Sequence, residues 1–522
     1  MRNSSLITGG VNRRGILKGA SALGGAALLG PMGARMARAQ PMRGGILRMG
    51  LSHGSTTDSL DPGSWENDFM IFLGHTSNNY LTEIAADGSL VPEVAESWEA
   101  SADAATWTFT IRSGVQYHSG GTVTAEDVIA SIAHHLGEDS TSAAKPIVEQ
   151  ITNMTADGMN VVFELADGNA DFPFILSDYH LPIKPSVDGA IDPMSTDGCG
   201  AYVIDNLEFG VSASLSRHDG YWKTGVAHFD GVEVLAILDA AARQNALISG
   251  DVDYIDSADL NTVHLLARAP GIEVLSVTGT QHYGLPMDSR ADPFSNNHVR
   301  LALKYAIDRE QMVETVLNGY GTPGNDHPIG PGQRYFNTEL PQKSYDPDQA
   351  RFHLQQAGLE SLDVDIHLAD AAFAGAVDAG VLFAESAAAA GININVVREP
   401  NDGYWSNVWM QLPFVGTYWS GRPTEDWMFA TAYSEGAAWN ESYWSNERFN
   451  ELLLIARAEL NEDLRREMYF EMQQILSDQG STIIPMFAAY VMAHSDALAR
   501  PEQVGSNWRN DGQRIAERWW FA

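Results

Sequence analysis

The segment from 401 to 446 holds six of the chain's 13 tryptophans, Trp405, Trp409, Trp419, Trp427, Trp439 and Trp444, together with Tyr404, Tyr418, Tyr433 and Tyr443. Aromatic rings offer broad apolar faces at little cost in side-chain entropy, and their polar tips hydrogen-bond, so this density suits the wall of a solute cleft. Any one of these rings alone fits ordinary core packing. Their mixture with Arg422, Asp426, Asn440 and Glu441 is what points to a pocket. Arg422 has the most distinctive chemistry, because a buried guanidinium favours a carboxylate or another anionic group through forked hydrogen bonds. Asp426, four residues on, offers it an internal partner instead.

Two catalytic patterns are absent from the sequence: there is no His-Glu-x-x-His pair and no phosphate loop ending in Gly-Lys-Ser/Thr. Gly319-Tyr320-Gly321-Thr322-Pro323-Gly324 matches a dinucleotide fingerprint in letters only. It follows a helical pattern rather than a strand and leads into Pro328 and Pro331, so no helix N-terminus is expected to cradle a phosphate. His134 and His135 are adjacent and should point to different helix faces, which does not suit a metal. Glu425 and Asp426 would act as acid and base only across a cleft, and adjacency does not show that. The expectation is a chain with no catalytic residue, no metal and no cofactor.

These residues need elements to hold them. Thr106-Trp107-Thr108-Phe109-Thr110-Ile111 alternates strictly, which predicts a strand with Trp107, Phe109 and Ile111 on one face. Thr124 and Asp127 form a capping-box pattern, so a helix is expected from Ala125 to about His134. Val299, Leu303, Ala306, Ile307, Val313 and Leu317 recur at helical spacing and predict one amphipathic helix between Pro293 and Gly319. Two more helices are expected through Phe449–Ala456 and Leu464–Leu476, then an apolar strand from Thr482 to Phe487. The class is mixed α/β, with large lobes joined by crossing segments.

Composition narrows the partners. The 522 residues are 44% hydrophobic and carry 32 Lys plus Arg against 67 Asp plus Glu, a net charge of −35 that would repel nucleic acid. Length argues for two or three domains, and the single Cys199 excludes an internal disulfide. Residues 1–39 hold six basic residues and no acidic one. Arg13-Arg14 precedes a small, apolar run from Gly19 to Gly30, and Ala37-Arg38-Ala39 offers small residues where a signal peptidase reads. The pattern predicts a signal peptide resembling the twin-arginine type, cleaved before Gln40, and a soluble periplasmic product. No Cys near the cleavage site is available for lipid attachment.

Several blocks resemble the family 5 solute-binding proteins of ABC importers, the class for peptides, dipeptides, oligopeptides and nickel. They are Val91-Pro92-Glu93-Val94-Ala95-Glu96-Ser97-Trp98, the Thr106–Arg112 strand, His118 through Asp127, Gly200-Ala201-Tyr202, Tyr221-Trp222, Ser249-Gly250-Asp251-Val252-Asp253, and Val299–Leu303 with Ala306–Arg309. The resemblance implies a two-lobed periplasmic-binding-protein fold of type II with an extra subdomain. Lobe I would take 41–83, 189–285 and 491–522, its subdomain 84–188, and lobe II 286–490. It further implies a monomeric receptor that is not an enzyme, closing on a peptide or small-molecule solute and delivering it to a permease in the inner membrane. A secreted hydrolase and a sensory or chaperone protein on the same fold are the rival expectations.

By the same resemblance, Thr417-Tyr418-Trp419 would be a cleft-lining strand able to pair with an extended ligand. The opposing wall would include His53 and Ser55, ahead of the family-like block Ser59-Leu60-Asp61-Pro62, with Trp405, Trp439 and Asn440 as further contacts. Peptide-binding relatives follow the Trp-x-Gly block with an Asp for the ligand's ammonium, whereas here Trp419-Ser420-Gly421 is followed by Arg422. The reversed charge implies a solute with an acidic group, unless Asp426 neutralises Arg422.

Overall fold

The computed structural model describes residues 41–522, apart from 421 and 423. The signal-peptide reading of residues 1–39 falls outside them. Among the described residues no helix is long and apolar enough to cross a membrane.

A nine-stranded sheet runs through the molecule. From one edge its strands are Tyr202–Glu208, Ser212–Arg217, Gly231–Ala236, Ile46–Leu51, Tyr254–Ile255, Thr482–Ser495, Ile272–Pro286 and Thr417–Trp419, and Gly321–Pro323 also pairs with Thr482–Ser495. Ile46–Leu51 lies parallel to both its neighbours, and Leu47, Met49 and Leu51 are fully buried. Two strands dominate. Ile272–Pro286 and Thr482–Ser495 pair antiparallel from Ile272↔Ser495 to Pro286↔Thr482, with the register broken between Thr278 and His282. The expected strand Thr482–Phe487 therefore continues eight residues further, to Ser495, because neighbouring strands bury this segment almost without interruption.

Separate apolar cores lie along these strands. One gathers Leu47, Phe69, Val232, Leu275, Met492 and Trp519. A second gathers Leu303, Ile366, Phe383, Phe414, Ile483 and Met486, around a βαβ unit made of Leu362–Leu368, Ala376–Ala388 and Ile392–Arg398. A third belongs to a four-stranded antiparallel sheet, in which Trp107, Phe109 and Ile111 are buried as their alternation predicts. Phe109 meets Phe163 and Phe172 with ring centres 5.6 and 6.2 Å apart. The helix Ala125–Ala133 begins with the expected capping box: Thr124 Oγ1 accepts from the Asp127 amide, and Asp127 Oδ2 accepts from the Thr124 amide at 2.9 Å.

The single helix expected between Pro293 and Gly319 is two, Asn297–Ala306 and Arg309–Val316. Ile307 is extended, and the Asp308 side chain accepts from the Gln311 amide at 3.0 Å, so a new cap starts a new helix. The apolar spacing hid the break because Ile307 stays buried across it. The helices expected near 449–456 and 464–476 are Glu447–Ala458 and Glu462–Gln479. Gly321–Pro323 forms a strand, and the next helix starts only at Pro347, so the glycine pattern cradles no phosphate.

Candidate functional site

Thr417–Trp419 is the last strand of the large sheet, held to its neighbour through Thr417↔Gly284, Tyr418↔Tyr283 and Trp419↔His282. Alternation buries Thr417 and Trp419 and leaves Tyr418 exposed. The indole of Trp419 donates to Glu441 Oε1 at 3.0 Å, and Trp409 donates to the other oxygen of the same carboxylate. Burial raises the Glu441 pKa, and the two indoles oppose that rise. Glu441 thus fixes two rings of the aromatic cluster at once.

Beyond this strand the chain leads to Arg422, ahead of the helix Glu425–Ala432 and its Thr424 cap. Three cavities meet at this side chain. The main one, about 490 Å³, lies within the usual range of ligand pockets, roughly 300–1,000 Å³. Its walls come from four parts of the chain: His75 and Ile84; Ala143 to His180, including Asp178 and Tyr179; Arg422, Trp427 and Trp439; and Trp508 with Arg514. The adjoining hollow of about 360 Å³ is open to solvent and lined by Trp405, Trp409, Thr417, Tyr418, Trp419 and Trp439.

Arg422 and Asp426 do not pair. Asp426 is buried against Arg457, whose Nε lies 3.1 Å from Oδ2, and it lines a different hollow of about 260 Å³. Burial pushes its carboxyl up to about 6 despite that partner. The physical reason is local: Arg422 precedes the helix, so the four-residue spacing does not put the two side chains on one face. Among the described residues, Arg422 makes one hydrogen bond, from Nη1 to the Ser420 carbonyl at 3.3 Å, and lies 5.6 Å from the Trp419 ring centre. Burial lowers its pKa, with Tyr179 and Asp178 opposing at longer range.

The other expected residues divide. Trp405 and Trp439 are about half exposed and line the cavities. Asn440 is buried and spends its amide on the Ser434 and Trp444 carbonyls, bracing a turn. His53 contacts Asp68 at 3.1 Å, and the Ser55 hydroxyl contacts that of Thr57 at 2.7 Å; neither residue lines the main cavity or the aromatic hollow. The residues that sequence reasoning missed are Asp178, Tyr179, Trp508 and Arg514. The run Asp178-Tyr179-His180 was a usable signal, being polar and aromatic between apolar segments.

Among the described residues, two clusters of carboxylate or histidine side chains have cation-binding spacing. Glu83, Glu93 and Glu517 already face Lys223, Arg514 and Arg518, so that cluster is neutralised from within. His53, Asp68 and Asp256 have Arg509 at 3.1 Å from Asp68.

His75, in the cavity wall, is buried and its pKa is pushed down to about 3, by loss of solvation first and by Arg514 second. The folded protein keeps this ring neutral, whereas the unfolded chain takes a proton near pH 6.5. Its stabilising contribution is present above pH 6.5 and falls as pH drops below it, by about 2 kcal/mol at pH 5. Urea unfolding of wild type should lose about that much more stability between pH 7 and pH 5 than unfolding of His75→Gln. Equal losses in the two proteins would contradict the neutral ring.

The model for bacterial extracellular solute-binding proteins, family 5 (middle), matches residues 89–441. The chain belongs to that family. It is 26% identical over 298 residues to heme-binding protein A of Haemophilus influenzae, covering 51% of this chain and 53% of the relative. It is 23% identical over 439 residues to the dipeptide-binding protein of Escherichia coli, covering 76% and 80%. The chain thus spans about half the length of the first of these relatives. The solved structure of HbpA2 from Haemophilus parasuis superposes with a TM-score of 0.79 at 18% identity, over 90% of this chain and 99% of that one. That likeness establishes the two-lobed periplasmic-binding-protein fold.

Proposed function

We propose that this family 5 protein captures a peptide, a peptide-like compound or another small organic solute between two lobes and delivers it to an ABC permease in the inner membrane. The observation that carries this is the aromatic cavity of about 490 Å³, whose walls are drawn from segments as distant as His75 and Arg514. A cavity walled by segments this far apart in the chain is one that hinged lobes can open and close. The lobes are 41–83, 189–285 and 491–522; the subdomain 84–188; and 286–490. The separate apolar cores support this division.

Arg422 and Trp439 form the solute site, with Trp405 and the edge strand Thr417–Trp419 on its adjoining hollow. A solute that touches both lobes shifts the population toward the closed form, since only differential contact moves that equilibrium. The chain works as a monomer in the periplasm after twin-arginine export, and its role is binding rather than catalysis. The relatives are named for solutes as unlike as heme and dipeptides, so the family indicates capture and leaves the ligand to the residues of the cavity.

Native mass spectrometry of the protein isolated from periplasm tests this. The expected result is one small solute per chain, released intact on unfolding. Isolation with no solute, combined with turnover of a peptide library, would replace capture with hydrolysis.

A further inference from the structure

Two histidines meet away from the solute cavity. On the proposed division His118 belongs to the subdomain and His218 to the first lobe, and their ring centres lie 5.0 Å apart with the planes at 66°. One strip of chain, 197–201, positions both. The His118 amide donates to the Gly198 carbonyl at 2.8 Å, the Ser119 amide donates to Asp197 Oδ1 at 3.0 Å, and the His218 amide donates to the Ala201 carbonyl at 2.9 Å. Their separation in the chain hides the pair from the sequence, which predicts no metal.

His118 Nε2 lies 3.1 Å from the Gly200 carbonyl. A carbonyl oxygen only accepts, so Nε2 carries the proton and Nδ1 is left with a lone pair. That Nδ1 is buried without a hydrogen-bond partner among the described residues, and so is His218 Nε2. Buried polar atoms are nearly always satisfied, so two orphaned imidazole nitrogens on neighbouring rings call for an occupant. Burial, ahead of any other effect, lowers the pKa of both rings and keeps them in the neutral form that ligates metals.

Two imidazoles on one divalent ion, each nitrogen about 2.0–2.1 Å from it, hold their ring centres roughly 4.5–5.2 Å apart. These rings already stand within that range. A ligating histidine usually donates its other N–H to a carbonyl or carboxylate, and Gly200 supplies that support to His118. Gly220 leaves room beside His218, where a Cβ would come to 3.0 Å from Cε1 and Nε2. Asp197 acts electrostatically on both rings, and with Oδ1 on the Ser119 amide its Oδ2 is left for a third bond. The three are less tightly gathered than the clusters described above, so Asp197 must swing in as the ion binds.

We infer that His118 Nδ1 and His218 Nε2 ligate a divalent transition-metal ion of the zinc class, with Asp197 as third ligand, and that this ion ties the subdomain to the first lobe. Two imidazoles disfavour calcium and magnesium, which take oxygen ligands. None of the three residues lines the main cavity, so the site is independent of whichever solute is captured.

The test loads the full mature chain, stripped with chelator, with Zn2+ alone. Anomalous density at the zinc edge in wild-type crystals should show an ion bonded to His118 Nδ1 and His218 Nε2, and this arm needs no variant to fold. In titrations, His118→Ala and His218→Ala should each weaken zinc binding roughly 100-fold or more, since losing an outer support alone costs about 10–100-fold. Zinc should raise the thermal midpoint of wild type and of neither variant. His53→Ala, in the cluster with Asp68 and Asp256, should bind zinc as wild type does. Zinc density only elsewhere, or only water between the two rings, would overturn the inference. Unchanged zinc affinity in both variants, or its loss in His53→Ala alone, would do the same.

Discussion

Glu93→Ala should lower the stability of the folded protein by about 3–5 kcal/mol, the cost of leaving buried charge without its partner. Glu93 is fully buried. Its Oε1 accepts from Arg514 Nη1 at 2.8 Å, Asn79 Nδ2 at 2.8 Å and Lys223 Nζ at 3.0 Å, and its Oε2 accepts from the Tyr80 amide at 2.9 Å and Arg514 Nη2 at 3.0 Å. The carboxylate thus meets the Arg514 guanidinium with both oxygens, the strongest geometry available to such a pair. Burial alone would raise the pKa of neighbouring Glu83, but Arg514, Lys223 and Arg518 override it and hold that carboxyl well below its ordinary range. Removing Glu93 takes one negative charge from a group of three cations and three anions and strips Asn79 and Tyr80 of an acceptor. Urea unfolding at pH 7 measures the loss, and a midpoint equal to that of wild type would show that the network contributes nothing. Because Arg514 also lines the solute cavity, the same change should weaken solute retention.

The second large effect falls on closure. Asp171 Oδ1 meets Arg465 Nη1 at 2.7 Å and Arg334 Nη2 at 2.9 Å, and the Ala170 amide donates to the Arg457 carbonyl at 2.7 Å. On the proposed division these contacts join the subdomain to the second lobe, so they exist only when the lobes are together. Arg465 is almost wholly buried, and Asp171→Ala would leave it without a carboxylate, at a cost of about 3–5 kcal/mol to the closed arrangement. The open form does not bear that cost. Apparent affinity scales with the fraction of closed molecules, so retention of a free dipeptide pool should fall by roughly 100-fold or more. Urea unfolding from the open form should change far less. Equal losses in affinity and in global stability would mean that Asp171 only supports the fold.

The parts of the molecule that were readable from sequence are those whose signal is local. Strict alternation identified the strand with Trp107, Phe109 and Ile111, and a hydroxyl three residues ahead of a carboxylate identified the cap at Thr124. The density of rings between 401 and 446 located the aromatic hollow, because its lining comes from one stretch of chain. The main cavity is different. Asp178 and Trp508 reach Arg422 from segments more than 80 residues away on either side, through sheet pairings that no local pattern encodes. The spacing of Arg422 and Asp426 misled for the converse reason: it suggests a helical pair, yet the helix starts only at Glu425 and Asp426 turns to Arg457. Likewise Ile307 kept the apolar period intact through a helix break that Asp308 had already signalled as a cap.

The most direct test is a crystal structure of the protein with the solute it carries out of the periplasm. Solute density should fill the cavity between Asp178 and Trp508 on one side and Arg422 and Trp439 on the other, with an acidic group on the guanidinium. Density bound only elsewhere, such as beside His53, Asp68 and Asp256, with this cavity holding nothing but water, would contradict the account.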